Sequence, residues 1–213
     1  MSQQNAWLRP VTLQGEGVRL EPLELRHRED LIAAVQDGEL WRLWYTNIPA
    51  PERMQQEIER RLGLQAAGSM LPFAVIDSRR AQAIGMTTFM NADAANRRLE
   101  IGATWYRRGA QRTAINSRCK MLLLTHAFET LACIAVEFRT HFFNQRSRRA
   151  IGRLGAKLDG VLRNHQLAAN GTLRDTCVYS IIAPEWPTVK SHLLYELQRP
   201  RHDPPRREGT EEL

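Results

Sequence analysis

The sequence predicts an α/β (α+β) fold in which a mixed, mostly antiparallel central sheet of about seven strands carries helices on both faces. Strand-like and helix-like segments alternate along the 213 residues, with no repeat at solenoid or propeller periods. Three consecutive strand candidates are joined by links too short for crossover helices, which favours an antiparallel meander. The longest helix candidate repeats its apolar residues at helical spacing. A chain of this length fills one core more readily than two, so residues 1–197 read as a single domain. Residues 198–213 read as a disordered tail, because Gln198-Arg199-Pro200-Arg201-His202-Asp203-Pro204-Pro205-Arg206-Arg207 offers no apolar residue to anchor the chain.

The run Val18-Arg19-Leu20-Glu21-Pro22-Leu23 alternates apolar and polar residues as a half-buried strand does, and Pro22 marks its end. Residues 29–36 read as a short helix. Over 39–48, Trp41, Trp44 and Tyr45 stand three and four apart, which predicts a helix with one aromatic face, either packed in the core or lining a cleft. Pro51 opens a charged amphipathic helix through residue 67, since proline is accepted in a first turn. Strands follow at 72–77, 81–90 and 97–106, separated by the turn-prone Ser78-Arg79-Arg80 and residues 91–96. A helix over 113–131 carries Ile115, Cys119, Leu122, Leu123, Ala127 and Phe128, and leads into a strand at 134–140. Asn144 suits the N-cap of a basic helix that closes at Leu154, with Gly155 where a left-handed residue is wanted. Two last strands, 156–167 and 173–182, flank Ala168-Ala169-Asn170-Gly171, which has Asn-Gly hairpin chemistry.

The composition, 43% hydrophobic and 25% charged, is that of a soluble globular protein and excludes a disordered or fibrous chain. No apolar run approaches the roughly 18 residues of a membrane-spanning helix, and the first ten residues lack a signal peptide's apolar segment. A cytoplasmic location is therefore expected, with no membrane partner. Cys119, Cys133 and Cys177 are too scattered for a disulfide framework or a CxxC metal site, so buried reduced thiols are expected. The histidines show no HExxH spacing, and no metal is expected. A glycine pair at 63 and 68 mimics a nucleotide phosphate loop, but Ser69 stands where its lysine is required.

Charge is unevenly distributed. Residues 105–165 hold 12 Lys and Arg against 3 Asp and Glu, a balance of +9, while the remainder holds 18 against 20 and sums to −2. Such a segment suits nucleic acid, an acidic protein surface or a polyanionic small ligand. Composition does not choose among them. A strand running through a basic turn into a helix N-terminus gathers backbone N–H groups and the positive end of the helix dipole at one spot, and such a junction binds phosphate.

Here that junction reads Leu99-Glu100-Ile101-Gly102-Ala103-Thr104-Trp105, then Gln111-Arg112-Thr113-Ala114-Ile115-Asn116. The second run is similar to the coenzyme A pyrophosphate motif of GCN5-related N-acetyltransferases: Gln or Arg, two residues, Gly, one residue, Gly or Ala. Ala114 and Asn116 occupy the two small-residue places. The helix Lys120-Met121-Leu122-Leu123-Leu124-Thr125-His126-Ala127-Phe128-Glu129 resembles the ribosomal-protein N-acetyltransferase branch of that superfamily. Asn144-Gln145-Arg146-Ser147-Arg148-Arg149-Ala150-Ile151, Leu154-Gly155-Ala156, Gly160-Val161-Leu162-Arg163 and Glu185-Trp186-Pro187 continue the resemblance in order and spacing, over about residues 18–197.

The resemblance implies acetyl-CoA as cofactor, lying in a V-shaped gap between splayed central strands, and direct attack by an amine in a ternary complex. Backbone groups of Gly102, Ala103, Thr104 and Trp105 would contact the oxyanion and the pantetheine, and the amides of Gln111, Arg112, Thr113, Ala114, Ile115 and Asn116 would grip the diphosphate. Arg112, Lys120, Arg148 and Arg149 are candidates for neutralising phosphate. Asn144 and Ser147 would meet the pantetheine arm, with Ser147 as proton donor to the leaving thiolate or as a local helix-start bond. Glu100 would accept the amine's proton through water, or else pair with Arg97, Arg98 or Arg19. Trp41, Trp44 and Tyr45, with the last hairpin, would build the substrate-binding cleft. The implied partner is an amine acceptor: a protein N-terminus, a peptide or a small amine. Dimerisation is common in the branch. Two readings stand beside this one: a degenerate acetyltransferase fold that binds coenzyme A or an acidic partner without catalysis, motivated by Ala114 and Asn116, and a nucleic-acid-binding module, for which the chain lacks any zinc-finger spacing, RNP-like strand or basic heptad array.

Overall fold

The computed structural model describes residues 7–168 and 170–199. Eight strands build one sheet: β1 (Leu13–Gly15), β2 (Val18–Pro22), β3 (Met70–Asp77), β4 (Gln82–Asp93), β5 (Arg98–Tyr106), β6 (Ala135–His141), β7 (Lys157–Leu167) and β8 (Leu173–Ile182). Their spatial order is β1-β2-β3-β4-β5-β6-β8-β7. Every neighbouring pair is antiparallel except β5 and β6, which run parallel over the rungs Arg98↔Ala135, Leu99↔Val136 and Glu100↔Glu137 and pair no further.

Helices α1 (Arg28–Gln36) and α2 (Met54–Ala66) cover one face of the sheet; α3 (Ile115–Thr125) and α5 (Trp186–Gln198) cover the other. On the first face Leu31, Val35, Met54 and Ile58 bury against Ala74, Met86 and Trp105. On the second, Leu123, Leu124 and Leu193 join Phe73, Phe89 and Phe138. Each such side chain contributes about 1.5–3 kcal/mol on leaving water. Because β3 is covered from both sides, Met70 through Ile76 are all buried, and its sequence is apolar without alternation. The edge strand β7 is exposed along most of its length.

The sheet is one strand larger than expected, the addition being the short β1. The helix expected over 39–48 is absent: a 3-10 turn, Leu40–Arg42, ends at an extended Leu43. Gly38 and Glu39, both left-handed at φ 99° and 49°, turn the chain out of α1, and Pro49 and Pro51 restrict the far end. The expected 113–131 helix is divided into α3 and a π-helical turn, His126–Thr130. The helix α5, with Pro187 in its first turn, was not among the expected elements. Gln198, assigned to the tail, closes α5; the rest of the tail beyond Arg199 and Ala169 of the hairpin turn lie outside the described residues. Gly171 in that turn is left-handed, at φ 81°. The three cysteines are buried free thiols. Among the described residues no helix is long and apolar enough to cross a membrane, and no group of three His, Cys, Asp or Glu is placed to hold a metal.

Candidate active site

The centre of the sheet is irregular at one place. Met86 pairs with Trp105 and Thr88 with Gly102, so Thr87 alone faces both Ala103 and Thr104. Ala103 takes a left-handed φ of 47°. This is a β-bulge, which bends β5 and aims its peptide groups out of the ladder. It lies just past Glu100↔Glu137, the last rung of the parallel pair. From there β5 and β6 diverge, leaving the N–H and C=O groups of Gly102, Ala103, Thr104 and Trp105 beside a widening gap.

Glu100 guards the foot of that gap and is only 5% exposed. Burial raises its pKa, a hydrogen bond from Asn91 Nδ2 (2.8 Å) and the Arg139 guanidinium (Nε at 3.6 Å) oppose the rise, and Glu137 adds to it. The partners foreseen for it lie elsewhere: Arg98 bonds Glu137 and Arg19 bonds Glu21. Gly102 makes room for the carboxylate, because a Cβ there would stand 2.7 Å from Glu100 Oε1 and from Met90 Sδ. The carboxylate borders a cavity of about 160 Å³ that Asn91, Glu137 and Arg139 also line.

Beyond Tyr106 the chain makes one 3-10 turn, Arg108–Ala110, runs extended at Gln111, turns left-handed at Arg112 (φ 62°) and enters α3 through an α-helical Ala114. Thr113 Oγ1 donates to Ala110 O (2.7 Å) and accepts from Ile115 N. The amides of Asn116 and Ser117 have no hydrogen-bond acceptor among the described residues. They form the unsatisfied N-terminus of an eleven-residue helix, and Arg112 is exposed beside them. No glycine is needed here, because Ala114 is already helical at φ −69°.

Across the gap, α4 (Gln145–Arg153) begins with Asn144, whose Oδ1 accepts from Ser147 N at 3.0 Å. Asn144 is thus a working N-cap, and the Ser147 hydroxyl makes no hydrogen bond among the described residues. Arg146 donates from Nη2 to Gln111 Oε1, joining the two walls of the gap. Gln111 also donates to Tyr106 O (2.8 Å).

Two cations expected at phosphate are engaged otherwise. Lys120 is buried; its ammonium donates to Thr104 Oγ1 (2.9 Å) and Thr87 Oγ1 (3.3 Å) beneath the bulge, and burial lowers its pKa to about 8. Its place on the inward face of α3, one residue from the buried Cys119, removes it from the loop surface. Arg148 donates to Tyr179 Oη and Phe142 O and lies over the Phe142 ring, tying α4 to the sheet. Arg149 is exposed.

The aromatic trio separates. Trp41 packs against the α1–α2 core, whereas Trp44 and Tyr45 line a cavity of about 330 Å³ together with His141, Gln166 and Arg174. Asn91, Arg139, His141 and Arg174 line the two cavities and Arg146 bridges the gap, and the motifs did not single them out. A signal for part of them was present: Glu137, Arg139 and His141 alternate with the buried Val136, Phe138 and Thr140, which marks a polar face on a central strand.

With this geometry in view, the comparisons with known proteins fall into place. The family described as acetyltransferase (GNAT) domain matches residues 18–157. Among curated proteins, YdaF of Bacillus subtilis (strain 168), provisionally named a ribosomal N-acetyltransferase, is 32% identical over 102 residues, which is 48% of this chain and about half (55%) of that protein's length. A T. thermophilus protein, provisionally described as an acetyltransferase, superposes with a TM-score of 0.78 at 32% identity, over 90% of this chain and 99% of that one. Mycobacterium smegmatis RimJ, solved in complex with CoA-disulfide, superposes with a TM-score of 0.73 at 20% identity, over 88% and 93% of the two chains, a likeness of fold. The bulged strand, the parted parallel pair and the open helix N-terminus agree with that match, and the chain belongs to the GNAT family, whose members transfer an acetyl group from acetyl-CoA to an amine.

Proposed function

We propose that this protein is an N-acetyltransferase moving the acetyl group of acetyl-CoA to a primary amine, a protein N-terminal α-amine or a small-molecule amine, by direct attack in a ternary complex. The observation that carries the reading is the parting of β5 from β6 directly after Glu100, with the bulge at Ala103 on one side of the opening. The residues present fit the cofactor: the amides of Asn116 and Ser117 and the exposed Arg112 suit a diphosphate. When bound, acetyl-CoA supplies the activated acyl group as a thioester.

The chain's own residues have three tasks. Peptide groups from Gly102 to Trp105 hold the thioester carbonyl and meet its developing negative charge. Glu100, with a pKa raised by burial, takes a proton from the ammonium through a water, freeing the nitrogen lone pair. When the N–C bond forms and the C–S bond breaks, Ser147, in the first turn of α4, would give its proton to the sulfur, and the second proton shed by the nitrogen would return through solvent to the Ser147 oxygen. Trp44 and Tyr45 wall the acceptor side. The catalytic domain comprises residues 1–197, the protein works in the cytoplasm, and the exposed β7 edge leaves room for a homodimer.

The test is a calorimetric titration with coenzyme A, followed by thiol release from acetyl-CoA over a panel of primary amines. Micromolar uptake with amine-dependent thiol release is expected. Absence of uptake at millimolar coenzyme A overturns the assignment, and uptake without thiol release for any amine leaves a binding module in its place.

A further inference from the structure

The larger cavity, about 330 Å³, lies between the α1–α2 connection and the far ends of β6 and β8. Trp44 and Tyr45 form one wall, and His141, Gln166 and Arg174 contribute the polar groups of the other. Two of these polar groups are incompletely used. Arg174 donates from Nε to Thr176 Oγ1 (3.1 Å) and takes part in no salt bridge among the described residues, although it is half-buried. Its two Nη groups have no hydrogen-bond acceptor among the described residues, so donors are left over. His141 is 3% exposed; its Nδ1 accepts from the Phe143 backbone N–H at 3.1 Å, which assigns the ring proton to Nε2. Nε2 itself has no hydrogen-bond partner among the described residues. Burial, and then the neighbouring Arg174, lower the pKa of His141, with Asp175 opposing, so at neutral pH the ring is an uncharged donor.

A buried N–H left unbonded costs about 1–3 kcal/mol, so a ligand that brings an acceptor to the His141 side of the cavity would recover part of that cost. The rings of Trp44 and Tyr45 alone would suit a cation. Arg174 in the same wall decides against one. A dianionic phosphate calls for more than one cation, and Arg174 is the one Lys or Arg among the described residues that line the cavity. A carboxylate needs what is there, a guanidinium face and one further N–H. Glu100 lies close enough for its charge to favour the charged form of Arg174, so the two groups set opposite charges side by side on one face of the sheet. Asn91 and Arg139 face Glu100 from the adjacent strands.

We infer that Arg174 and the Nε2–H of His141 form a carboxylate subsite, and that the acceptor is an amine carrying a carboxylate within its first two residues, as in a peptide that begins with or soon reaches an acidic side chain. The inference rests on the proposed acetyl transfer, with the amine at Glu100 and the carboxylate at Arg174. It assigns these two residues to acceptor choice.

The experiment uses C-terminally amidated pentapeptides with free N-termini, paired so that they differ only by Glu or Gln at the first or the second position. Binding to the full-length protein saturated with coenzyme A is measured by calorimetry, and acetylation by thiol release. At one position or the other the Glu peptide is expected to bind at least tenfold more tightly than its Gln partner. In Arg174→Gln the preference is expected to fall below twofold, and His141→Phe to reduce it in part. Equal affinities in the wild type at both positions, or a preference that survives Arg174→Gln, overturns the subsite. Should a variant fail to fold, the wild-type comparison decides alone. If Glu and Gln peptides bind alike and are acetylated with the same kcat/KM, the subsite falls while acetyl transfer stands. If no peptide releases thiol, acetyl transfer falls, and the binding preference still reads the subsite.

Discussion

Glu100 is held between opposing influences that its sequence neighbours do not reveal. Burial favours the protonated acid, while the amide of Asn91 and the guanidinium of Arg139 favour the carboxylate, and burial prevails. A base tuned upward in this way is better matched to an amine's proton than an ordinary glutamate is. Glu100→Gln is expected to lower kcat by about 100-fold or more while the Kd for coenzyme A stays within about twofold. In the wild type, the acidic limb of the kcat profile is expected to fall above the usual glutamate range and to vanish in the variant; unchanged turnover removes the role. Glu100 was legible as a candidate because it sits on the strand that enters the turn proposed to bind phosphate. Its partners were not, since Asn91 lies across a strand pair and Arg139 across the parallel junction, and sequence proximity pointed to Arg97 and Arg98 instead. Ser147 and Asn144 were separable only in three dimensions, where the cap belongs to Asn144 and the free hydroxyl to Ser147.

At the scale of single elements, what is local was readable. The start of α4 at Asn144, the left-handed Gly155 (φ 92°) after it and the β7–β8 hairpin follow from capping and turn chemistry written in consecutive residues. The bulge in β5 was not, because it arises from register against β4, and nothing in Gly102-Ala103-Thr104 announces that Thr87 will oppose two residues. Residues 39–48 misled because aromatic spacing presumes a helix, and the left-handed pair Gly38 and Glu39 denies one. Lys120 shows how an element can redirect a charge. Its position on α3 carries it under the bulge to Thr87 and Thr104, whereas a lysine in a basic run suggests a surface. Its folded pKa, about 8, lies below the ordinary lysine value of 10.5, so between those values the unfolded chain binds the extra proton and Lys120 contributes a stability that increases with pH. Below pH 8 the burial cost is fully present. The unfolding free energy of wild type relative to Lys120→Met is therefore expected to improve by about 3 kcal/mol from pH 7 toward pH 10.5; a difference that stays flat in denaturant melts across that range contradicts the buried ammonium.

For the whole molecule, the fold class was legible because alternation of strands and helices constrains architecture strongly. The V-shaped gap came from family resemblance, since no single segment encodes the parting of two strands distant in sequence. Ligand binding in that gap should be visible in one part of the sheet and not in the rest. Amide hydrogen exchange in the diverging parts, β5 from Ile101 and β6 from Phe138, and at the start of α3 is expected to slow on addition of coenzyme A, while β2, β3 and α1 change little; uniform protection, or none, speaks against a ligand seated between the strands.

The parallel rungs are few and lie at one end of both strands. They form a hinge line, in the geometric sense, where two leaves of the sheet, β1–β5 and β6–β8, meet over a shared core that includes Phe73, Phe89 and Phe138. From Glu100 to Tyr106 the first leaf extends roughly 20 Å beyond that hinge, at about 3.3 Å per residue. A tilt of only ~10° therefore shifts the outer rim by about 3 Å, roughly the thickness of an aromatic ring, while displacing the hinge-side carboxylate hardly at all. The mouth can yield to an incoming chain of atoms without loosening the groups that act on it.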